Sequence, residues 1–160
     1  MKGRFKAMIE EAQTTDFPEL KTIGMACFEN SIRTPGENYL ASVLFRRYFS
    51  KRRFRARQHQ GTRIFVYRHQ DALVGFYELE TDGLLSSLYV DPDHQKKGYG
   101  GALLRHAEQL AGQLKLPKLR LDSSQKAVIF YEAHGYQKVK KARYVFGVYM
   151  IPMEKQLSKA

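Results

Sequence analysis

The sequence predicts a single α/β domain in which a mixed β-sheet carries helices on its faces. The chain has 160 residues, the size of one domain, and its 43% hydrophobic and 27% charged residues are typical of a globular protein. Segments rich in β-branched and aromatic residues alternate with segments whose apolar residues recur at helical spacing. No repeat or Pro/Gly/Ser-rich linker divides residues 1–160. The predicted order is β-α-α-β-β-β-α-β-α-β-β.

The first half of the chain predicts one strand and two helices. In residues 5–11 apolar and polar residues alternate, although imperfectly, which predicts a strand. Asp16 is placed to cap the first helix through its carboxylate. Apolar residues follow at helical spacing and include Cys27, which we therefore expect in the core. After a turn at Pro35-Gly36, a second helix is predicted to run from Leu40 without a break into residues 46–57.

The second half predicts an antiparallel meander followed by alternating helices and strands. Strands at residues 62–68, 72–80 and 84–90 are separated by short turns, so we expect them to be antiparallel neighbours. A long amphipathic helix, a strand at residues 118–122 and a helix at residues 127–134 follow. Gly135 is expected to end that helix. Strands at residues 136–139 and 144–153 close the chain.

Net charge and cysteine content limit the classes of function and the cellular compartment that we expect. The net charge is +11, and residues 46–57, the basic segment, hold seven basic residues and no acidic one. This charge suits nucleic acid or another polyanionic ligand, including a phosphorylated cofactor. The single cysteine excludes an intrachain disulfide framework and suits a reducing compartment. Without a signal peptide or a membrane-length apolar run, we expect a cytoplasmic protein.

A glycine-rich loop carries the clearest chemical signal. After the strand ending at Val90, Lys96 and Lys97 precede Gly98, Gly100 and Gly101, which open a long helix. Free amides at a helix N-terminus bind anions, and glycines allow close approach of a phosphate. A Walker A motif is excluded because no glycine precedes Lys-Ser/Thr.

A dinucleotide-binding fingerprint is also excluded. Leu103 stands where the third glycine would be, and seven residues separate Val90 from Gly98. Asp122 only mimics the acid that binds a ribose in such folds.

The loop motif Gln95-x-x-Gly98-x-Gly100 resembles the pyrophosphate loop of the GNAT N-acetyltransferase superfamily. Two further stretches are similar to that family: Leu-Tyr-Val-Asp-Pro at residues 88–92, and the Phe-Tyr helix with its Gly-aromatic end at residues 124–136. The resemblance implies a GNAT-like acyl-CoA N-acyltransferase fold with acetyl-CoA as co-substrate and no metal. It further implies acetyl transfer to a primary amine through a tetrahedral intermediate.

The resemblance also assigns residues. The backbone of Leu88, Tyr89 and Val90 would pair with the pantetheine arm, and the segment from Gln95 to Gly101 would hold the pyrophosphate. That segment comprises Gln95, Lys96, Lys97, Gly98, Tyr99, Gly100 and Gly101. Ser124 stands where the family often has a cofactor-contacting Asn. Tyr131 lies against the cofactor as the general acid for the leaving thiolate; the alternative from helical spacing is a core aromatic.

The general base is harder to assign. Residues 84–90 carry no carboxylate, whereas some family members have a Glu on this strand. Glu78 on the preceding strand shares a face with Glu80, and we take Glu78 as the tentative base. The alternative for both is a solvent-facing carboxylate. His134 is expected to be a satisfied core histidine.

Partners are the least defined by sequence. The resemblance places the basic segment near the acceptor site, where it would attract an acidic amine-bearing acceptor; a solvated helix face is the alternative. We expect a homodimer formed through sheet edges or C-terminal strands, and no membrane partner. Two other functions stay open: a nucleic-acid-binding module, which we do not favour, and a CoA-binding fold that has lost catalysis.

Overall fold

The computed structural model describes residues 8–32, 39–145 and 147–157, in which strands and helices alternate much as the sequence predicts. The strands are β1 (Met8–Glu11), β2 (Arg63–His69), β3 (Ala72–Leu79), β4 (Leu85–Val90), β5 (Lys118–Ser123), β6 (Gln137–Lys138), β7 (Arg143–Val145) and β8 (Val148–Gln156). The helices are α1 (Phe17–Cys27), α2 (Tyr39–Tyr48), α3 (Lys51–His59), α4 (Tyr99–Gln113) and α5 (Val128–Ala133). The predicted mixed α/β class is confirmed.

The strands form two half-sheets that meet at one end. One has the order β1-β2-β3-β4, and the other has the order β5-β8-β6 with β7 also paired to β8. All of these pairs are antiparallel, which confirms the predicted meander of residues 62–90. A single parallel bridge between Leu84 and Arg120 joins the two half-sheets. Beyond this bridge β4 and β5 diverge, and the gap between them positions the site.

Two apolar clusters pack on opposite faces of the split sheet. The first core cluster packs α1, α2 and α3 on one face and includes Phe54 and Phe76. The second core cluster packs α4 and α5 on the other face and includes Tyr77 and Leu121. Adjacent residues of a strand point to opposite faces, and so Phe76 and Tyr77 belong to different clusters. Cys27 of α1 is buried and belongs to the first core cluster, as expected.

The prediction of one continuous helix that runs into the basic segment is wrong, because α2 ends at Tyr48 and α3 begins after Ser50. Ser50 has extended backbone angles of φ −71° and ψ 148°, and its hydroxyl accepts a hydrogen bond from the Arg53 N–H. A serine in this conformation starts a new helix by capping its first amides. The apolar periodicity continues across the break because Phe49 and Phe54 both enter the first core cluster.

Other expectations change at element ends. Residues 144–153, predicted as one strand, turn at Gly147 (φ +81°) and form the β7–β8 hairpin. Asp16 precedes α1 but does not cap it through its side chain, which instead accepts from the Gln13 N–H and the Arg68 guanidinium. Gly135 follows α5 with φ +87°, as expected. Residues 5–7 of the first predicted strand and the Pro35-Gly36 turn lie outside the described residues.

Candidate active site

A cavity of about 810 Å³ fills the gap between β4 and β5 and is bounded by the first turns of α4 and by α5. Each residue predicted to bind the cofactor, except Lys97, lines it, and so does Tyr131. Residues more than 40 positions apart in sequence thus converge on one volume. Such a cavity is large enough for a ligand of drug size or greater.

The loop before α4 presents unpaired backbone amides to this cavity. Gly98 is the N-cap of α4 with φ +86°, and Lys96 also has a positive φ of +60°. The Ala102 N–H donates to the Gly98 carbonyl. The amides preceding it in the first turn have no partner within the helix. A Cβ built on Gly98 would meet no atom within 4 Å, so the loop leaves open space for a ligand against its backbone. These features fit a phosphate group.

The cationic side chains near the loop differ in where they point. Lys96 lines the cavity, whereas the Lys97 ammonium donates to the Asp93 carbonyl at 3.3 Å. The sequence analysis missed Arg105, which also lines the cavity. A Cβ built on Gly101 would lie 3.3 Å from Arg105 Nη1 and 3.2 Å from His134 Nε2. The available signal was the position of Arg105, one helical turn after Gly101.

His134 is oriented by its own helix. Its Nδ1 lies 2.8 Å from the Phe130 carbonyl, which can only accept, so this nitrogen is the donor. The ring packs on Phe130 at 4.5 Å between centroids. His134 lines the cavity as well, so the expectation of a core histidine is wrong: one nitrogen is satisfied and the other faces the site.

Strand β4 offers backbone groups to the gap. The Asp91 N–H donates to the Val74 carbonyl of the strand segment beside it. Hydrogen-bonded and non-bonded residues alternate in an antiparallel pair, so Val90 and Leu88 direct their backbone groups away from β3. Accordingly, the Val90 carbonyl accepts from the Gln95 side-chain amide and from the Cys27 thiol, each at 3.1 Å. The geometry favours Leu88 and Val90 over Tyr89 for pairing with a ligand.

Cys27 forms part of the cavity wall as a neutral thiol. Burial raises its pKa to about 12, with a smaller contribution from the Asp91 carboxylate. The thiol therefore stays protonated at neutral pH and donates to Val90. A protonated, buried thiol is a poor nucleophile.

Tyr131 reaches the cavity from α5. Its side chain is 8% exposed and meets the Phe130 and Tyr136 rings edge-on, with centroids 5.1 Å and 5.7 Å away. Burial raises the pKa of its phenol well above 10. The hydroxyl thus keeps its proton at neutral pH. Ser124, which also lines the cavity, accepts from the Ala127 N–H at 3.3 Å and caps the turn before α5.

Glu78 lies behind the cavity wall. Its carboxylate is fully buried and accepts from Arg57 Nε at 2.7 Å, Arg57 Nη2 at 3.1 Å and Ser87 Oγ at 2.8 Å. Ser87 lines the cavity and Glu78 does not. The expectation of a solvent-facing carboxylate is wrong for Glu78, because Arg57 comes from α3 to neutralise it.

Two aromatic rings and a backbone carbonyl also contact the Arg57 guanidinium. Its guanidinium lies 4.0 Å from the centroid of the Tyr48 ring and 4.8 Å from that of Phe54, and Nη1 donates to the Tyr48 carbonyl at 2.9 Å. The last cation of the basic segment is thus a structural residue. The segment's other cations, Arg46, Arg47, Lys51, Arg52, Arg53 and Arg55, are exposed.

Two classes of feature are absent from the described residues. Within residues 8–32, 39–145 and 147–157, no group of three or more His, Cys, Asp or Glu side chains could hold a metal ion. In the same part of the chain, no helix has the length and apolar character needed to cross a membrane.

Comparisons with known proteins agree with this geometry. A family model described as an acetyltransferase (GNAT) domain matches residues 31–157. The protein belongs to the GNAT acetyltransferase family. A search of curated proteins found no significant match.

Solved structures share the fold at low sequence identity. A GCN5-related N-acetyltransferase from Rhodopseudomonas palustris is 23% identical with a TM-score of 0.82, covering 95% of this chain and 96% of that one. The PaiA N-acetyltransferase from Thermoplasma acidophilum, solved with coenzyme A, is 19% identical with a TM-score of 0.76, covering 94% and 99%. The ribosomal-protein-S18-alanine N-acetyltransferase from Escherichia coli is 21% identical with a TM-score of 0.72, covering 97% and 96%.

Proposed function

We propose that this protein transfers an acetyl group from acetyl-CoA to the primary amine of an acceptor. The observation that carries the proposal is one cavity that joins an anion-binding loop at Gly98 to a protonated phenol at Tyr131. Membership of an acetyltransferase family supports it. Similar structures that contain coenzyme A or acetyl-CoA support the choice of cofactor.

The residues present fit acetyl-CoA. Amides at the start of α4 would hold the pyrophosphate, with Lys96 and Arg105 adding positive charge. Backbone groups of Leu88 and the Val90 N–H would pair with the pantetheine arm as an added strand does, since the Val90 carbonyl already accepts two hydrogen bonds. When bound, acetyl-CoA supplies a thioester whose carbonyl carbon an amine can attack. An unpaired β4 amide at that carbonyl would stabilise developing negative charge on its oxygen.

Tyr131 is proposed as the general acid. A departing thiolate needs a proton, and a phenol with a raised pKa still carries one at neutral pH. Tyr131 lines the same cavity as Leu88 and Val90, which supports this role.

For Glu78, the contacts support a positioning role. Both of its oxygens already accept hydrogen bonds, and Ser87, which donates to one of them, lines the cavity whereas Glu78 does not. We propose that Glu78 holds Arg57 and Ser87 in place.

The exposed cations of the basic segment are proposed to attract an acceptor with acidic groups. We further propose that the protein acts in the cytoplasm and as a homodimer. The Arg52→Glu/Arg53→Glu variant should raise the KM for an acidic amine-bearing acceptor and leave the dissociation constant of CoA unchanged, because neither residue lines the cavity. Equal losses for both ligands would contradict this role. Salt-dependent binding of RNA without CoA affinity would favour the nucleic-acid alternative.

A direct test of the proposed function uses Gly98→Asp. The added carboxylate enters the open space at the loop, where it repels phosphate, and aspartate tolerates positive φ better than most residues. Gly147→Asp is the matched control, since Gly147 also has positive φ (+81°) but lies outside the cavity. Calorimetry should show CoA binding by the wild type and the control and not by Gly98→Asp. Equal binding by both variants would refute the loop assignment.

A further inference from the structure

Besides His94 Nδ1, two buried polar atoms of cavity-lining residues have no hydrogen-bond partner in the part of the chain that the structure describes. They are Asp122 Oδ1 on β5 and Ser86 Oγ on β4, and both residues line the cavity. The Tyr48 hydroxyl and the Glu80 carboxylate lie near the Ser86 hydroxyl and interact with it, so of the two atoms Asp122 Oδ1 calls more strongly for a partner. Unsatisfied buried polar atoms are uncommon in native proteins and call for a partner.

The local structure determines the position of both Ser86 Oγ and Asp122 Oδ1. In the β3–β4 pairing Glu78 opposes Ser87 and Leu79 opposes Leu85, so Ser86 is the extra residue of a β-bulge. Bulges re-aim side chains and are common beside active sites. The other Asp122 oxygen, Oδ2, accepts from Arg143 Nη2 of β7 at 2.9 Å. Arg143 thereby fixes the carboxylate while Oδ1 stays unpaired.

Asp122 lies on the face opposite the phosphate-binding loop. Leu119 and Leu121 of β5 enter the second core cluster beside α4 and α5, so Asp122 points to the other face. Its partner Arg143 pairs with Met150, a member of the first core cluster that also lines the cavity. A ligand bound at the start of α4 therefore approaches from one face, and Asp122 is reached from the other.

The two atoms complement a protonated amino group. An ammonium carries N–H donors and no acceptor, whereas Asp122 Oδ1 accepts and supplies negative charge, and Ser86 Oγ can accept a second bond. A phosphate or carboxylate would be repelled by Asp122. The chemistry at this face is thus opposite to that of the loop at Gly98.

We propose that Asp122 and Ser86 form the amine subsite, which holds the acceptor's amino group as an ammonium and takes up its proton. In that step an N–H bond of the ammonium breaks, its electron pair remains on nitrogen, and the proton bonds to Asp122 Oδ1. The neutral amine is then the nucleophile. This inference rests on the proposed function and adds to it the residues that bind and deprotonate the amine.

The test measures binding of n-hexylammonium to isotopically labelled protein saturated with CoA, followed by NMR shifts of backbone amides. We expect saturable shifts at residues 85–87 and 121–123, and none of these with the neutral analogue 1-hexanol. Asp122→Asn should weaken hexylammonium binding about 10- to 100-fold, because a hydrogen bond to a charged group is lost. Ser86→Ala should cause a smaller loss.

Asp82→Asn is the matched control. Asp82 also pairs with an arginine, Arg120, but lies outside the cavity, so this variant should bind hexylammonium as the wild type does. Unchanged affinity in Asp122→Asn, an equal loss in Asp82→Asn, or no saturable shift in the wild type would overturn the amine subsite. CoA binding in the same wild-type sample separates the outcomes, since its absence would instead reject the proposed function.

Discussion

Replacing Arg57 by methionine should destabilise the fold strongly, although Arg57 belongs to a segment that reads as a charged surface. Methionine can occupy much of the space between Tyr48 and Phe54 but leaves the fully buried Glu78 carboxylate with Ser87 as its only donor among the described residues. Removing one partner of a buried ion pair costs about 3–5 kcal/mol. For a domain of this size, that free energy lowers Tm by roughly 6–20 °C.

Urea unfolding followed by circular dichroism measures this change. Arg53→Met is the control, because Arg53 lies on the same helix but is exposed, and it should stay within about 0.5 kcal/mol of wild type. The double variant Arg57→Met/Glu78→Leu removes both charges and should recover most of the loss. A cost below about 1 kcal/mol for Arg57→Met, or no recovery in the double variant, would refute the assigned role of the buried pair.

Three further outcomes are expected. Tyr131→Phe should lower kcat about 10²- to 10⁴-fold in single-turnover acetyl transfer, with CoA affinity unchanged; similar rates would show that Tyr131 only packs. Lys96→Ala should weaken CoA binding in calorimetry more than Lys97→Ala does, because only Lys96 lines the cavity; equal losses would contradict this. Cys27, with its pKa raised to about 12, should resist a thiol reagent at pH 8, where the thiolate is scarce; rapid labelling of the folded protein would oppose that assignment.

Local patterns were enough to predict most of the fold. The short turns of residues 62–90 require antiparallel strands, and the glycines after Lys97 require a loop that opens a helix. The break at Ser50 escaped prediction because apolar spacing continues through Phe49 and Phe54 on both sides of it. Periodicity reports which residues face the core, and two helices that share a core preserve it.

The site was predicted where it depends on one stretch of chain. The Gln95–Gly101 loop and Tyr131 lie in such stretches, and the structure brings them to one cavity. The Arg57–Glu78 pair joins residues 21 positions apart on different elements, and Asp122 meets Arg143 across the same separation. No spacing rule connects such partners, because their contact arises only when the half-sheets and α3 assemble.

The two hydrogen bonds that the Val90 carbonyl accepts change what this end of β4 offers to a partner. Strand edges normally recruit any available strand, and β4 and β5 already touch at Leu84 and Arg120, from where a ladder would propagate. At the other end of β4, the Gln95 amide and the Cys27 thiol occupy the Val90 carbonyl, so only the Val90 N–H is left to pair with a strand or a ligand there. Gln95 and Cys27 therefore restrict how another strand could pair with the end of β4, while the rest of the gap stays open to a ligand.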